Sequence, residues 1–314
     1  MMLKNWSGWR WIIGLAFAAL LVGCSVLRIG YSQAPTFAYW WIDGYVDLNG
    51  EQTPKLRDAI DRWFDWHRRV EMPRYAALLA RAQREVMEPT LSTAQLCAWR
   101  DEAQRRLDAA LDEATPAFAT LMVSLTPEQI RHMERKMAKD GEELKHDFAQ
   151  TDKAERVKGS FKRTLERYEN LYGKLDDTQR AKLAQLLTAS PFDAERWLAE
   201  RERRNSGLLA TLNNVSAAGR DANAAQAQAQ AQAAVRVLAE RALRSPRPEY
   251  RAYQDRLTQE NCALAAALHN ATTPAQRQYA RDKLKGWEDD VRLIATGVGS
   301  NGNGAANNGS GSSR

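Results

Sequence analysis

Residue types that could do chemistry are few in this chain and lie far apart. Asp43, Asp65 and Glu71 lie near tryptophans, and two of them could form the carboxylate pair of a glycoside hydrolase, although the sequence does not fix their separation. Glu142 and His146 are spaced to share one helix face, but two ligands do not complete a metal site. Motifs for a serine nucleophile, a phosphate loop or a redox cysteine pair are missing. We therefore expect no catalytic residues, no metal and no other cofactor, and a protein that acts by binding.

The N-terminal segment combines two basic residues, an apolar run and a cysteine. Lys4 and Arg10 precede an uncharged run of twelve residues, whereas a membrane-spanning helix needs about 20. The run closes with Leu21-Val22-Gly23-Cys24, which resembles the lipobox of bacterial lipoprotein signal peptides. This resemblance implies removal of residues 1–23 and acylation of Cys24, with palmitate among the acyl chains. The alternative is a secreted protein whose cysteine lies at the cleavage site by chance.

Residue 25 and the overall charge bear on location and partners. By the same resemblance, Ser25 in place of an aspartate implies sorting to the outer membrane, with the body on the periplasmic face. The chain carries 45 basic and 39 acidic residues, and both signs are interleaved along nearly every segment. Interleaved charges are typical of solvated helix faces, so nucleic acid is not expected as a partner. The expected partners are the membrane, through Cys24, and envelope proteins or unfolded clients.

The other two cysteines form an even pair in a compartment where disulfides persist. Cys97 and Cys262 each lie in a predicted helix beside apolar residues, so both should face or flank the core. We predict that they are joined, which would tie the early helices to the late ones. The alternative is two buried, unpaired thiols, because the required distance between their Cα atoms cannot be read from sequence.

Apolar residues recur at the helical spacing of three and four from Thr53 onward. Thr53 is predicted to cap the first helix with Pro54 at its first position, and Pro73 is predicted to start the second. Pro116 predicts a kink or break in a long helix that ends near residue 125. Since strand signals are scarce, the sequence predicts an all-α, multi-helix bundle that forms a single body over residues 53–296.

Three segments depart from this pattern. Residues 24–52 are rich in aromatic side chains and are predicted to be a helix-poor tether between the anchor and the body. Residues 205–234 are rich first in Gly, Asn and Ser and then in alternating Ala and Gln, which predicts a spacer, helical or not, that contributes nothing to the core. Residues 297–314 consist mainly of Gly, Asn and Ser and predict a disordered tail.

A short pattern of the form Leu-Thr-x-x-Gln opens four predicted helices. Its simplest interpretation is a capping box, in which the second residue accepts from the backbone and the Gln reaches back. The pattern also resembles the paired motif of the Spy/CpxP-type periplasmic chaperones, all-helical proteins that bind unfolded clients. On that interpretation Leu125, Thr126 and Gln129, with Trp63 and Trp66, form a surface for a client or partner. The four copies are Leu91–Gln95, Leu125–Gln129, Leu175–Gln179 and Thr272–Gln276.

Three longer stretches stand out: Tyr39–Tyr45, Arg62–Arg69 and His269–Gln276. Together with the lipobox they resemble a family of uncharacterised Gram-negative lipoproteins, a domain of unknown function, over Cys24 to about Leu293. The resemblance implies helical class and location and brings no activity with it. We therefore expect a binding factor with a chaperone-like or envelope-maintenance role. The alternative is an envelope hydrolase, or a hydrolase-associated factor, that uses the tryptophan-flanked acids.

Overall fold

Helices make up every regular element in the part of the chain that the structure describes, as the apolar spacing predicts. The structure, a computed structural model, describes residues 26–149, 153–221 and 223–297. The predicted signal peptide, Cys24 and almost all of the predicted tail lie outside these residues. In chain order the helices are α1 (Val26–Val46), α2 (Gln52–Trp66), α3 (Met72–Glu85), α4 (Thr93–Ser124), α5 (Pro127–Phe148), α6 (Lys153–Tyr172), α7 (Asp177–Thr188), α8 (Ala194–Asp221), α9 (Ala224–Leu243), α10 (Pro248–His269) and α11 (Pro274–Ala295). Over these ranges, no helix has both the length and the apolar character needed to cross a bilayer.

Helix α1 takes the place of the helix-poor tether predicted for residues 24–52. The helix continues through Pro35, which has no N–H to donate to the Tyr31 carbonyl. Packing outweighs this loss, because α1 lies against α2, α5 and α11 and Val46 enters a core cluster. This aromatic helix is therefore part of the body.

The second helical segment begins earlier than predicted and is not interrupted at Pro73. Asn49, rather than Thr53, supplies the cap: its side-chain oxygen accepts from the amides of Glu51 and Gln52, both at 3.0 Å. A π-helical turn, the "π turn" over His67–Glu71, then joins α2 directly to α3. Pro73 follows as the second residue of α3, where its missing N–H costs little.

Helix α4 passes through Pro116 without the predicted break. The Pro116 carbonyl accepts from the Thr120 hydroxyl at 3.0 Å and from the side-chain amide of Gln228 at 3.1 Å. The second of these donors belongs to α9, so a glutamine of the low-complexity segment holds α9 against α4 at the proline.

The alanine- and glutamine-rich segment contributes to the core, so the prediction of a spacer without core contacts is wrong. Ala227 and Ala231, one turn apart on α9, are buried, with Val235 a further turn along. All lie on the side of α9 that faces Ala119 and Met122 of α4. Alanine has no atoms beyond Cβ, which lets the two helix backbones lie close together. Small residues at a spacing of four therefore form a core contact here, although the sequence interpretation expects only large apolar residues to form one.

Two further core clusters join α3, in the first third of the chain, to α11, the last described helix. In both, apolar residues of α3 pack against residues of α11, and Gln83 donates to Glu288 across the same boundary at 2.6 Å. Helix α11 thus covers the apolar face of α3, and the helices form a single body, as predicted. The clusters are Ala82, Val86, Tyr172, Ala280 and Leu284, and Met72, Ala76, Val291 and Ile294.

Cys97 of α4 and Cys262 of α10 are placed as the predicted disulfide requires. Their sulfur atoms are at bonding distance, and their Cα atoms are 5.4 Å apart across a sequence separation of 165 residues. Bridged cysteines have Cα atoms within about 7 Å of each other, so the pairing geometry is confirmed. The bond ties the start of α4 to the middle of α10.

Candidate functional site

The four Leu-Thr-x-x-Gln copies form capping boxes. Ser92, Thr126, Asp176 and Thr273 each accept from the amide of the glutamine three residues later, and that glutamine's oxygen accepts in return. Leu125 and Gln129 are buried, so the expectation that they present a client surface is wrong. The simpler interpretation of the pattern, as a helix start, is confirmed.

Sequence analysis missed a fifth box and the pairing of the boxes. Asn49 and Gln52 exchange the same two bonds, at 3.0 and 3.1 Å, in the sequence Leu48-Asn49-Gly50-Glu51-Gln52, which has the spacing of the other four. The amides of Gln52 and Gln129 then bond to each other in both directions. Each also donates to a carbonyl two residues before the partner's cap, Ser124 for Gln52 and Asp47 for Gln129, both at 2.9 Å.

Gln179 and Gln276 repeat this arrangement at the other end of the chain. Their amides bond to each other at 2.7 and 2.9 Å. Gln179 donates to the Ala271 carbonyl and Gln276 to the Lys174 carbonyl, each again two residues before the partner's cap. These four glutamines therefore join helix starts to each other, and both N–H groups of each side-chain amide are used within the fold.

The π turn gathers the aromatic residues of the predicted partner surface. The ring of Trp63 stacks on that of His67 at 4.7 Å between centroids, and its indole N–H donates to the Ala110 carbonyl at 3.0 Å. Trp66 is half-buried, 6.1 Å from Trp63. The Tyr31 hydroxyl of α1 lies 3.1 Å from Nδ1 of His67. Burial lowers the pKa of His67 and raises that of Tyr31 to about 12, so both are neutral at neutral pH.

Glu71 ends the π turn with no exposed surface at all, 0 %. Nη1 of Arg74 lies 2.6 Å from its Oε1, and Nη1 of Arg106 lies 3.6 Å from its Oε2. A buried carboxylate requires such partners, because its ionised form is poorly solvated. Isolated π turns are frequent at functional sites, but a substrate cannot reach this acid in the observed packing.

The other acids proposed for a hydrolase are engaged separately. Asp65 forms ion pairs with Arg68 and Arg69 on its own helix segment. Asp43 accepts from the Leu48 amide at 3.0 Å, where it terminates α1. Each of the three acids thus has partners of its own, and the three do not converge on a shared cleft.

The predicted Glu142 and His146 pair does not form a metal site. The His146 side chain is 88 % exposed and bonds to Asp147 at 3.3 Å. Over the described ranges, no group of three His, Cys, Asp or Glu side chains is arranged to hold a metal.

The most exposed aromatic surface belongs to α1. Phe37, Trp40 and Trp41 are 58, 59 and 66 % exposed, and Leu27 and Ile29 of the same helix are also exposed. We call these five residues the outer face of α1. The helical spacing that places Leu27, Phe37 and Trp41 on one side runs through Pro35, a residue type that usually interrupts a helix, so the sequence alone does not point to this face.

Three tyrosines of α1 fix the helix to the body. Tyr31 reaches His67, Tyr39 lies under the guanidinium of Arg57 at 3.6 Å, and the Tyr45 hydroxyl donates to Asp140. Burial, followed by the bond to Asp140, raises the pKa of Tyr45 to about 12, and the same bond lowers the pKa of Asp140. The outer face is therefore held in place by contacts that these three tyrosines make with the body.

Over its described residues the fold is that of a single-body, all-helical protein in which four helix starts are joined in two pairs. The chain belongs to the Family of unknown function (DUF6279), which matches residues 44–233. Neither the curated proteins nor the solved structures gave a match. The family match begins near the end of α1 and stops within α9, so α10 and α11 lie beyond it. The folded body is accordingly longer than the matched region.

Proposed function

We propose that this protein is a lipoprotein, anchored through Cys24 to the periplasmic face of the outer membrane, that acts by binding and not by catalysis. The observation that carries the proposal is the outer face of α1. Contiguous apolar surface of this kind is unfavourable in water and marks interaction sites in soluble proteins. Aromatic side chains contribute most at such sites because they bury a large area with few rotatable bonds.

Binding is better supported than hydrolysis. A glycoside hydrolase needs two carboxyl groups about 5 to 10 Å apart on either side of a substrate. Glu71 has no exposed surface, and Asp65 is held by two arginines. These acids therefore give no support to the hydrolase alternative.

The anchor is tested by fractionation of the cell envelope. Wild-type protein is expected in the outer-membrane fraction, since the several acyl chains of a lipoprotein exceed the marginal binding of one chain. Cys24→Ser should be lost from that fraction. Wild-type protein that is soluble, or is found only in the inner membrane, contradicts the corresponding part of the proposal.

Binding through the outer face is tested with a photoreactive phenylalanine in place of Trp41. Irradiation of cells should give an adduct with an envelope component, whereas the same group at Phe192, an exposed aromatic residue before α8, should give none. The absence of an adduct at position 41 would remove this face as the binding surface.

A chaperone-like role is the more specific form of the proposal. It predicts that sub-stoichiometric protein suppresses the aggregation of a chemically unfolded test protein. No protection at several-fold molar excess would remove the chaperone-like form and leave binding to a specific partner.

A further inference from the structure

We propose that the outer face of α1 lies on the lipid surface to which Cys24 is anchored, so that the helix forms a second, non-covalent contact with the membrane. This inference rests on the proposed acylation of Cys24. Under it, the partner that the outer face of α1 binds is the bilayer, and a protein client of the chaperone-like form would have to bind elsewhere on the body.

The composition of the face fits a lipid surface. Leu27, Phe37 and Trp41 share one side of α1 with the small residues Gly30, Ala34 and Gly44, at a spacing of three or four residues. The face carries no charged residue, although 27 % of the chain is charged. A specific protein interface usually has polar and charged residues around its apolar centre, whereas the exposed polar side chains of α1 are the uncharged Ser32 and Gln33.

The charged residues of α1 are turned to the body. Arg28 lies 3.9 Å from Asp290 of α11, and Asp43 accepts from the Leu48 amide. Their placement separates a charged, bonded side from an uncharged, exposed side, which is the pattern of a helix that lies in a membrane interface. Tryptophan favours that interface because its ring is apolar and its N–H can stay hydrated.

The position of the face relative to the anchor selects the bilayer. Helix α1 begins two residues after Cys24, and a residue spans at most about 3.5 Å, so the helix starts within about 7 Å of the acylated residue. Leu27 and Trp41 are separated by about 21 Å along the axis at 1.5 Å per residue. An acylated Cys24 would hold this surface beside the lipid at high effective concentration, far above that of any free protein.

The contact would set the orientation of the body. The acyl chains already retain the protein, so the helix is not needed for retention. Because the three tyrosines fix α1 to the body, a helix that lies flat on the bilayer also fixes which side of the body faces the periplasm. This is the role that we assign to Phe37, Trp40 and Trp41.

The experiment uses full-length acylated protein reconstituted into phosphatidylcholine vesicles whose acyl chains carry bromine close to the headgroup, which quenches nearby tryptophan. Wild-type fluorescence should be quenched relative to vesicles without bromine. The double variant Trp40→Phe, Trp41→Phe should lose most of the quenched component. Trp197→Phe, which removes a half-buried tryptophan of α8, is the matched control and should behave as wild type. Quenching should not change with salt or with added phosphatidylglycerol, because the face is uncharged.

Three outcomes would overturn the proposal. Equal quenching in wild type and the double variant would show that these tryptophans are not at the lipid. Vesicle-bound protein whose position 41 cross-links to a protein, without quenching, would identify a client or a second copy as the partner. Protein that does not float with the vesicles, and whose N-terminal peptide carries no acyl mass, would show that anchoring at Cys24 is wrong, and the contact that rests on it falls as well.

Discussion

The side-chain amides of Gln52 and Gln129 bond to each other in both directions, at 3.1 and 2.6 Å. Each oxygen also accepts from the backbone of its own cap, at Asn49 and Thr126, and each nitrogen also donates to a backbone carbonyl. Every donor and acceptor of two buried amides is thereby satisfied, which is the condition under which a buried polar pair stabilises a fold. The pair connects the start of α2 with the start of α5.

Replacing Gln129 by Glu should be much more costly than the same change in an unpaired box. The carboxylate would place an oxygen against the Asp47 carbonyl and the Gln52 oxygen, where an N–H now donates. We expect a loss of about 2 to 4 kcal/mol in the free energy of unfolding. Gln95 is exposed and bonds within its own box to Ser92, so Gln95→Glu should change it by less than about 0.5 kcal/mol. Urea unfolding followed by circular dichroism measures both, and equal losses would contradict the role of pairing.

Acid should destabilise the protein through its buried histidines. Nε2 of His269 donates to the Glu88 carbonyl and Nδ1 accepts from the Tyr172 hydroxyl, both at 2.9 Å. Burial, aided by the charge of Arg277, lowers the pKa of His269. The unfolded chain binds the proton near pH 6.5, above the pKa of the folded state, so stability should fall as the pH drops below about 6.5. Each such histidine changes the free energy of unfolding by at most about 1.4 kcal/mol per pH unit.

The comparison of His269→Gln with His146→Gln isolates this effect. At about pH 7.5, His269→Gln should be less stable than wild type. Between about pH 7.5 and about pH 5.5 it should lose less stability than wild type, because the imidazole that takes up the proton is gone. The second replaces an exposed histidine and should follow wild type. Parallel curves for wild type and His269→Gln would show that this group does not govern the acid response.

The disulfide should contribute strongly to stability. Its separation of 165 residues closes a long loop, for which the chain-entropy model gives about 4 kcal/mol or more. Reduction, or Cys97→Ser with Cys262→Ser, should lower the free energy of unfolding by an amount of this order. Mass spectrometry of a non-reduced digest should find one linked peptide pair with both residues. Alkylation of both thiols in denaturant without reductant would refute the bond.

The alanines of the low-complexity segment should differ in how much their replacement by leucine destabilises the protein. Ala231 is buried against α4, so Ala231→Leu should overfill the core and cost about 1 to 3 kcal/mol. Ala229, two residues earlier, is exposed, and Ala229→Leu should change stability by about 0.5 kcal/mol or less. Thermal melts of the two variants compare them directly, and similar melting temperatures would mean that α9 does not pack as described.

Local patterns in the sequence were sufficient for the helical class and for most helix starts. Apolar spacing predicts the helices because each buries one face, and the boxes at Thr126 and Thr273 predict starts because their bonds lie within four residues. The pairing of the capping boxes depends on residues that are distant in the sequence, and only the structure shows it. Gln52 and Gln129 are 77 positions apart, and Gln179 and Gln276 are 97 apart, and nothing in the residue types specifies those partners.

The misjudged segments share a physical cause. Aromatic richness does not predict that α1 packs as a helix, and small side chains near Ala231 do not by themselves indicate a core contact, because both depend on which distant helix lies against them. The π turn has no sequence signature, since it needs only one extra residue accommodated within a helix. The outer face of α1 could have been found by testing helical spacing through the proline.

The helix that covers the apolar face of α3 is α11, which is synthesised last of the described helices. Val86 is covered by Ala280 and Leu284, which the ribosome adds almost two hundred residues later. Until α11 exists, the apolar face of α3 is open to chaperones and proteases, and a chain that stops before Pro274 cannot cover it. The two core clusters that contain α3 therefore cannot be completed until the last helix has been made.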